Sequence, residues 1–296
     1  MIRVEHAAIT LRGATGNKLV GDVFGSTGVP VLLLHGGGQT RHAWRKTAET
    51  VAKLGYVAYA IDQRGHGDSE WVEDGAYSFP DFAGDVRALA ATLKERHGTP
   101  PIAVGASLGG IASLLAESGD ERTGGRLFTA LVLVDITPRV DLNGVAKVHG
   151  FMREHAYEGF ATVDEAADAV AAYLPHRPRP RSNEGLKKNL RLHPDGRWRW
   201  HWDPRFLDGR RRIGPGGGEI ERMLVAAAKR IAVPTLLVRG ASSELVKEEH
   251  ARELLELVPQ ASYVDVSGAR HMVAGDRNDQ FAAAIKQFLS NLQISQ

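Results

Sequence analysis

The sequence predicts an α/β protein built around a mostly parallel sheet. Short apolar runs alternate with longer stretches of helical periodicity, the pattern of parallel strands joined by crossover helices. The runs PVLLL at 30–34 and VAYAI at 57–61 are apolar at every position, as expected of strands buried on both faces. At 296 residues, the chain has room for one such core with an insertion.

Eight strands are expected in this sheet. The first two, residues 4–11 and 18–24, flank a glycine-bounded turn at 13–16 and predict an opening hairpin. The other six are predicted at 30–34, 57–61, 102–104, 131–134, 235–238 and 262–266. Helices are predicted at 41–54, 82–96, 108–117, 219–230, 247–257 and 278–292.

Residues 136–218 interrupt this rhythm. They show no regular alternation of strand and helix, contain several prolines and end in Gly-Pro-Gly-Gly-Gly at 214–218. We interpret this segment as a cap inserted at the carboxyl edge of the sheet and closed by a glycine-rich linker. The core would then consist of residues 1–135 and 219–296.

Composition narrows the classes of function. The chain has no cysteine, which excludes disulfides, a thiol nucleophile and thiolate metal ligands. Its net charge is only +2 and no nucleic-acid-binding motif is present, so no nucleic-acid partner is expected. No metal motif or nucleotide-binding glycine pattern occurs, so neither metal nor cofactor is expected. Without a signal peptide or a long apolar run, a cytoplasmic protein outside the membrane is predicted.

Ser107 is the candidate nucleophile. It lies in Gly105-Ala106-Ser107-Leu108-Gly109, a G-x-S-x-G pattern between a predicted buried strand and a predicted helix. A serine on such a turn has a strained backbone, and small neighbours let the strand and the helix pass closely. The turn raises the hydroxyl above the sheet at a helix N-terminus, where free amides favour negative charge.

Three further motifs occur in a meaningful order. HGGG at 35–38 follows the third strand, DQRGHGDS at 62–69 follows the fourth, and His271 follows the last. Together with the serine turn, they resemble the α/β-hydrolase superfamily, in particular capped serine carboxylesterases and hydrolases of ring-cleavage products. The resemblance covers about residues 1–135 and 220–296, and it matches the cap only in its placement.

The resemblance implies roles for four residues. Ser107 would attack, and His271 would act as its general base. The amides of Gly37 and Leu108 would form the oxyanion hole, because glycine lets the backbone approach the substrate carbonyl. His35 is expected to support the glycine loop rather than to react.

The acid of the triad has two candidates. The family commonly places it three residues beyond a glycine in the loop after the seventh strand; here Ser243 has that spacing and Glu244 follows it. Asp135 ends the sixth strand, where some relatives carry the acid instead. We favour Glu244 and keep Asp135 as the alternative. A shared role for both carboxylates also stays open.

Candidate substrate-binding residues lie in the cap and in the glycine loop. Trp198, Trp200 and Trp202 alternate with period two, so a strand would place three indoles on one face. That face either fastens the cap to the core or roofs an apolar acyl pocket, and Gly38 is a further candidate.

The sequence therefore predicts a carboxylic ester hydrolase that uses a Ser-His-acid triad and an acyl-enzyme, acting on a small ester or lactone. The alternatives are a lactonase, a carbon–carbon bond hydrolase of ring-cleavage products, and a ligand receptor of low turnover on the same fold.

Overall fold

The computed structural model describes residues 4–118, 126–208 and 218–292. An eight-stranded sheet forms the centre of this part of the chain. Its strands are β1 (His6–Arg12), β2 (Lys18–Phe24), β3 (Pro30–Leu34), β4 (Val57–Ile61), β5 (Ile102–Ala106), β6 (Ala130–Val134), β9 (Thr235–Gly240) and β10 (Ala261–Val266). A separate two-stranded sheet contains β7 (Leu190–Leu192) and β8 (Trp198–Trp200).

The large sheet has the order β1-β2-β4-β3-β5-β6-β9-β10. The pairs β1–β2 and β2–β4 are antiparallel, and every other neighbouring pair is parallel. The predicted opening hairpin and the mostly parallel sheet are confirmed. Because the carboxyl ends of the parallel strands meet at one edge, the loops after β3, β5, β6, β9 and β10 share that edge.

The described residues form eleven α-helices, and a short 3-10 helix at Arg41–Trp44 precedes the first of them. In the core these are α1 (Arg45–Lys53), α2 (Phe79–His97), α3 (Leu108–Glu117), α8 (Gly218–Ala228), α9 (Glu248–Leu257), α10 (Val273–Asp276) and α11 (Asn278–Asn291). Between β6 and α8 lie α4 (Leu142–Glu154), α5 (Val163–Tyr173), α6 (Glu184–Lys187) and α7 (Arg205–Asp208).

Helix α2 begins three residues before the predicted start at 82. Ser78 is its N-cap: the Ser78 hydroxyl accepts from the amide of Asp81, and the Asp81 carboxylate accepts from the amide of Ser78. Pro80 lies in the first turn, where its missing amide costs no hydrogen bond. This capping box therefore adds a first turn to the apolar pattern.

Helices cover both faces of the sheet, which explains the continuous apolar strands. Strands β3, β4 and β6 are buried at every position. Helices α2, α3 and α8 pack on one face, and helices α1 and α11 pack on the other. The central strands are thereby held rigidly, and so are the turns that follow them.

The segment between β6 and α8 has a small hydrophobic cluster of its own. Its buried members are Met152, Ala156, Phe160, Ala166, Leu190, Trp200 and Trp202. The predicted glycine linker lies mostly outside the described residues, since only its last glycine, Gly218, belongs to α8. Among the described helices, none has both the length and the apolar character needed to cross a bilayer.

Candidate active site

Ser107 lies on a sharp turn between β5 and α3. Its φ of 46° and ψ of −111° fall in a region that side-chain-bearing residues rarely adopt. The turn leaves no space for larger neighbours: a Cβ on Gly105 would stand 2.3 Å from the Gly109 carbonyl oxygen. The amide of Ser107 donates to the carbonyl of Val134 at 3.1 Å, which ties the turn to β6.

His271 is paired with Asp135. The histidine Nδ1 lies 2.8 Å from Oδ2 of Asp135, whose side chain is fully buried. Asp135 also accepts from the Gly240 amide at 2.9 Å and from the Ser243 hydroxyl at 2.5 Å. Since the carboxylate can only accept, Nδ1 donates and Nε2 is left as the basic nitrogen.

Glu244 is not the carboxylate beside His271, so the favoured acid is corrected to the alternative, Asp135. No hydrogen bond joins Glu244 to His271 in the described part of the chain, and Oε2 of Glu244 is buried there without a partner. The chain turns at Asp135 with a φ of 49°, directly after central strand β6. That turn brings the short side chain to the histidine, while Ser243 takes the position at which the acid was expected.

Two backbone amides of the serine turn and the glycine loop have no acceptor in the part of the chain that the structure describes. In the glycine loop, the amide of Gly36 donates to Oε1 of Gln39 at 3.0 Å and that of Gly38 donates to Nε2 of His66 at 3.1 Å. Among the described residues, none accepts from the amides of Gly37 or Leu108. These two amides remain the candidates for an oxyanion hole.

Two buried histidines support the glycine loop. The His35 Nδ1 donates to the carbonyl of Gly36 at 2.8 Å, and its Nε2 accepts from the amide of Gln63 at 3.1 Å. His66 accepts from Gly38 and contacts the carbonyl of Arg64 through Nδ1 at 2.9 Å. Burial lowers the pKa of His35 to about 4 and that of His66 to about 3, so both rings are neutral at pH 7.

The supporting role of His35 agrees with the sequence expectation, whereas His66 was not singled out. The only local signal was its position in the DQRGHGDS turn, which says nothing about the loop after β3.

The three tryptophans pack mainly within the segment between β6 and α8. Trp200 is buried, and Trp198 is half-buried against the same cluster. Trp202 reaches the glycine loop, since its Nε1 would lie 3.7 Å from a Cβ on Gly38. Phe206 lies closer still to Gly37, since its ring would be 3.2 Å from a Cβ on that glycine. That Trp198, Trp200 and Trp202 contact the substrate stays a prediction. Of the three, Trp202 has the position that supports it, because it lies near Gly38.

A cavity of about 230 Å³ opens beside Ser107. It lies on the side of β6 and β9, between α3, α4 and α8, and none of the three tryptophans lines it. The lining residues are Ser107, Ile111, Ile136, Thr137, Pro138, Arg139, Val140, Leu142, Val145, Val148, His149, Gly218, Ile220, Glu221, Leu224 and Leu245.

An ion pair ties the loop of His271 to the segment between β6 and α8. Arg177 donates to Oδ1 of Asp276 at 2.5 Å and to the Met272 carbonyl at 3.3 Å. The other oxygen of Asp276 accepts from the amide of Arg270, one residue before the histidine. The Asp276 side chain is 3% exposed, so this contact is largely shielded from water.

Within the described ranges, no three histidine, aspartate or glutamate side chains are grouped to hold a metal ion.

A sheet of this order, with a serine turn after β5 and a histidine after the last strand, is the arrangement of the α/β-hydrolase class. The family described as alpha/beta hydrolase fold matches residues 29–277, and the chain belongs to this family.

Curated relatives of similar length include hydrolases. The chain is 32% identical to the esterase Rv0045c of Mycobacterium tuberculosis over 78% of this chain and 72% of that protein. It is 30% identical to a 2-(acetamidomethylene)succinate hydrolase of Mesorhizobium japonicum, over 74% of this chain and 73% of the relative.

Solved structures agree with the fold. The structure of the Mycobacterium tuberculosis esterase Rv0045c superposes with a TM-score of 0.74 at 26% identity, over 97% of this chain and 92% of the other. An E-2-(acetamidomethylene)succinate hydrolase superposes with a TM-score of 0.79 at 24% identity, over 96% of this chain and the whole of the other, and this likeness supports the fold alone.

Proposed function

We propose that the protein is a serine hydrolase of carboxylic esters with the triad Ser107, His271 and Asp135. The observation that carries the proposal is the hydrogen bond from His271 to the buried carboxylate of Asp135, next to the strained turn of Ser107. A buried acid that fixes the tautomer of a histidine is what a general base for a serine requires.

The chemistry follows from these groups. Nε2 of His271 takes the proton of Ser107 while the serine oxygen bonds to the ester carbonyl carbon. The tetrahedral intermediate collapses, the bond to the alcohol breaks and His271 protonates the leaving oxygen. Water then attacks the acyl-serine with the same base and releases the carboxylic acid.

The amides of Gly37 and Leu108 would hold the negative oxygen of the intermediate. Both lack a protein acceptor among the described residues, and each such donor typically contributes about 3–4 kcal/mol in the transition state. The hydrogen bond from His35 to the Gly36 carbonyl, and the one that His66 accepts from the Gly38 amide, fix the loop in place before the substrate arrives.

Residues 136–218 would act as the cap of this enzyme. The close approach of Phe206 to Gly37, and of Met152 and Trp202 to Gly38, supports a position over the oxyanion loop. The similarity to a protein named an esterase supports ester hydrolysis over lactone or carbon–carbon bond cleavage. The small-molecule substrate, rather than any macromolecule, fits the cavity beside Ser107.

The decisive experiment labels the protein with a fluorophosphonate probe and measures hydrolysis of p-nitrophenyl esters. The wild type should be labelled and active, whereas Ser107→Ala should lose both properties and keep its circular dichroism spectrum. Near-normal turnover by purified Ser107→Ala would refute the assignment.

The identity of the acid is tested by two matched substitutions, each of which replaces a carboxylate by the corresponding side-chain amide. Asp135→Asn should lower kcat by about 10³–10⁴-fold with little change in KM, because the amide favours the wrong tautomer of His271. Glu244→Gln should change kcat by less than about threefold, since that carboxylate does not contact the histidine. The reverse ranking would restore Glu244 as the acid.

A further inference from the structure

The cavity beside Ser107 has a chemistry that defines one part of the substrate. We infer that it binds an uncharged, apolar acyl group of medium size, an inference that rests on the proposed function. Nine of its lining residues are aliphatic, among them Ile111, Ile136, Val145, Val148 and Leu224. Apolar walls of this kind favour hydrocarbon, because every methylene buried against them is removed from water.

Among the described residues that line the cavity, none offers an unpaired positive charge. Arg139 forms an ion pair with Glu221 at 2.6 Å and a second one with Glu253. Within the lining, Arg139 is therefore neutralised by Glu221, and Glu253 adds a second carboxylate to the same guanidinium from outside the lining. His149 is half-buried, and burial followed by the nearby charge of Arg153 lowers its pKa, so it is neutral at pH 7. An acyl chain that ends in a carboxylate would lose its hydration here without gaining a free cation as partner, which disfavours its binding.

The acyl side of the ester suits this cavity better than the alcohol. Ser107 lines the cavity and His271 does not. In an acyl-enzyme the acyl group stays bonded to Ser107, whereas the alcohol must leave past the histidine that protonates it. The cavity beside Ser107 therefore encloses the acyl group, which stays attached to the serine, rather than the alcohol.

The test compares p-nitrophenyl hexanoate with the acetate and with the glutarate half-ester, a chain of similar length that carries a carboxylate. We expect kcat/KM for hexanoate to exceed both by about tenfold or more. Equal values for hexanoate and the half-ester would overturn the inference while leaving the proposed esterase intact.

Two variants probe the walls. Val145→Phe should lower the ratio of hexanoate to acetate turnover about tenfold, because the ring occupies the cavity. Ala146→Phe, one residue further along α4 but exposed, is the control and should leave this ratio unchanged. Glu221→Gln removes one of the two carboxylates around Arg139 and should narrow the gap between hexanoate and the half-ester. An unchanged ratio in Val145→Phe would contradict the location.

Binding without turnover separates the two proposals. In Ser107→Ala, saturation-transfer NMR should show methyl hexanoate bound and monomethyl glutarate unbound. This result supports the cavity even if no ester is hydrolysed by the wild type, in which case the proposed function alone fails. Equal binding of both compounds overturns the cavity assignment.

Ser243 supports a second, independent inference. We propose that Ser243 is a positioning residue that holds the carboxylate of Asp135. Its hydroxyl donates to Oδ2 of Asp135, the oxygen that also contacts His271. The same hydroxyl oxygen accepts from the amides of Leu245 and Val246, both at 3.1 Å. The two amides fix the direction of the hydroxyl, and the hydroxyl fixes the carboxylate.

Removal of this hydroxyl should affect turnover rather than binding. Ser243→Ala should lower kcat about tenfold with little change in KM, and Ser243→Thr, which retains a hydroxyl, should recover most of the loss. A purely structural role predicts instead equal losses in both variants, or loss of stability with unchanged kcat per folded molecule.

The position of Ser243 allows a sharper test, in which the carboxylate is moved from position 135 to position 243. Because its side chain already reaches the oxygen that contacts the histidine, an aspartate there should meet His271 from the loop after β9. The double variant Asp135→Asn with Ser243→Asp should regain at least tenfold in kcat over Asp135→Asn alone. Adding Glu244→Asp instead is the control and should give no rescue. Failure of Ser243→Asp to rescue, together with full activity of Ser243→Ala, would overturn the proposal.

Discussion

At the scale of single residues, the site concentrates backbone strain at the ends of two central strands. Ser107 follows β5 and Asp135 follows β6, and within the described ranges they are the two residues other than glycine with positive φ. Such conformations cost about 1–3 kcal/mol each and persist only where the surroundings enforce them. Here the close packing of Gly105 against Gly109 provides that constraint for the serine.

The strain at Ser107 can be measured by two substitutions that both remove the hydroxyl. Ser107→Gly removes the Cβ as well, and we expect it to unfold at higher urea than Ser107→Ala, by about 1 kcal/mol in the free energy of unfolding. Glycine tolerates the turn, although its larger chain entropy offsets part of the gain. Equal or lower stability of the glycine variant would show that the turn is not strained.

At the scale of elements, the glycine loop after β3 is held by rings that titrate only in acid. Unfolded histidines take up protons near pH 6.5, whereas burial keeps His35 neutral to about pH 4 and His66 to about pH 3. Between the folded pKa of each ring and pH 6.5, the unfolded chain therefore binds more protons than the folded chain. The contribution of each histidine to stability is complete above pH 6.5 and declines as the pH falls towards the folded pKa.

Urea unfolding between pH 7 and pH 5 should reveal this linkage. The free energy of unfolding should fall by up to about 1.4 kcal/mol per pH unit for each buried histidine. The side-chain amide of Gln in His66→Gln can still accept from Gly38. In this variant the free energy of unfolding should fall less steeply with pH, and the difference in slope should correspond to at most one proton taken up on unfolding. The exposed His6→Gln is the control. An unchanged slope in His66→Gln would mean that His66 does not contribute to the acid sensitivity.

At the scale of the whole molecule, the segment between β6 and α8 is fastened to the core at separate points. Arg177 joins it to Asp276, near the histidine, and Tyr77 of the core donates to Asp203 at 2.5 Å. Both carboxylates are almost fully buried, so bulk water would compensate poorly for the loss of their partners. The insertion is consequently coupled to the loops that carry the site.

Arg177→Ala should test this coupling. We expect a loss of about 2–3 kcal/mol in the free energy of unfolding, because the buried carboxylate of Asp276 loses its principal cation. Ester turnover should fall several-fold as well, since Asp276 also holds the amide of Arg270. Arg179→Ala breaks a pair with Asp168 that is exposed on both sides and should cost less than about 1 kcal/mol. Similar losses in both variants would contradict the coupling.

The sequence predicted the fold well because periodicity is a local property. Continuous apolar runs such as residues 30–34 need cover on both faces, and the observed helices provide it. The serine turn and His271 were found through motifs that keep their order along the chain. Asp135 was only the alternative acid, because its contact depends on a left-handed turn and on β6 lying beside β9, which no local pattern shows. His66 and the cavity depend on contacts across the sheet in the same way.

The order of strands has a consequence for how the proposed esterase should lose activity on heating. Ser107 and Asp135 follow interior strands, but His271 follows β10, an edge strand that pairs only with β9. Edge elements open more readily than the centre of a sheet. Amides of β10 should therefore exchange with deuterium before those of β5, and turnover should decline at temperatures where the circular dichroism is still native. Heat would first separate His271, the proposed base, from its partners and leave an intact scaffold that recovers on cooling.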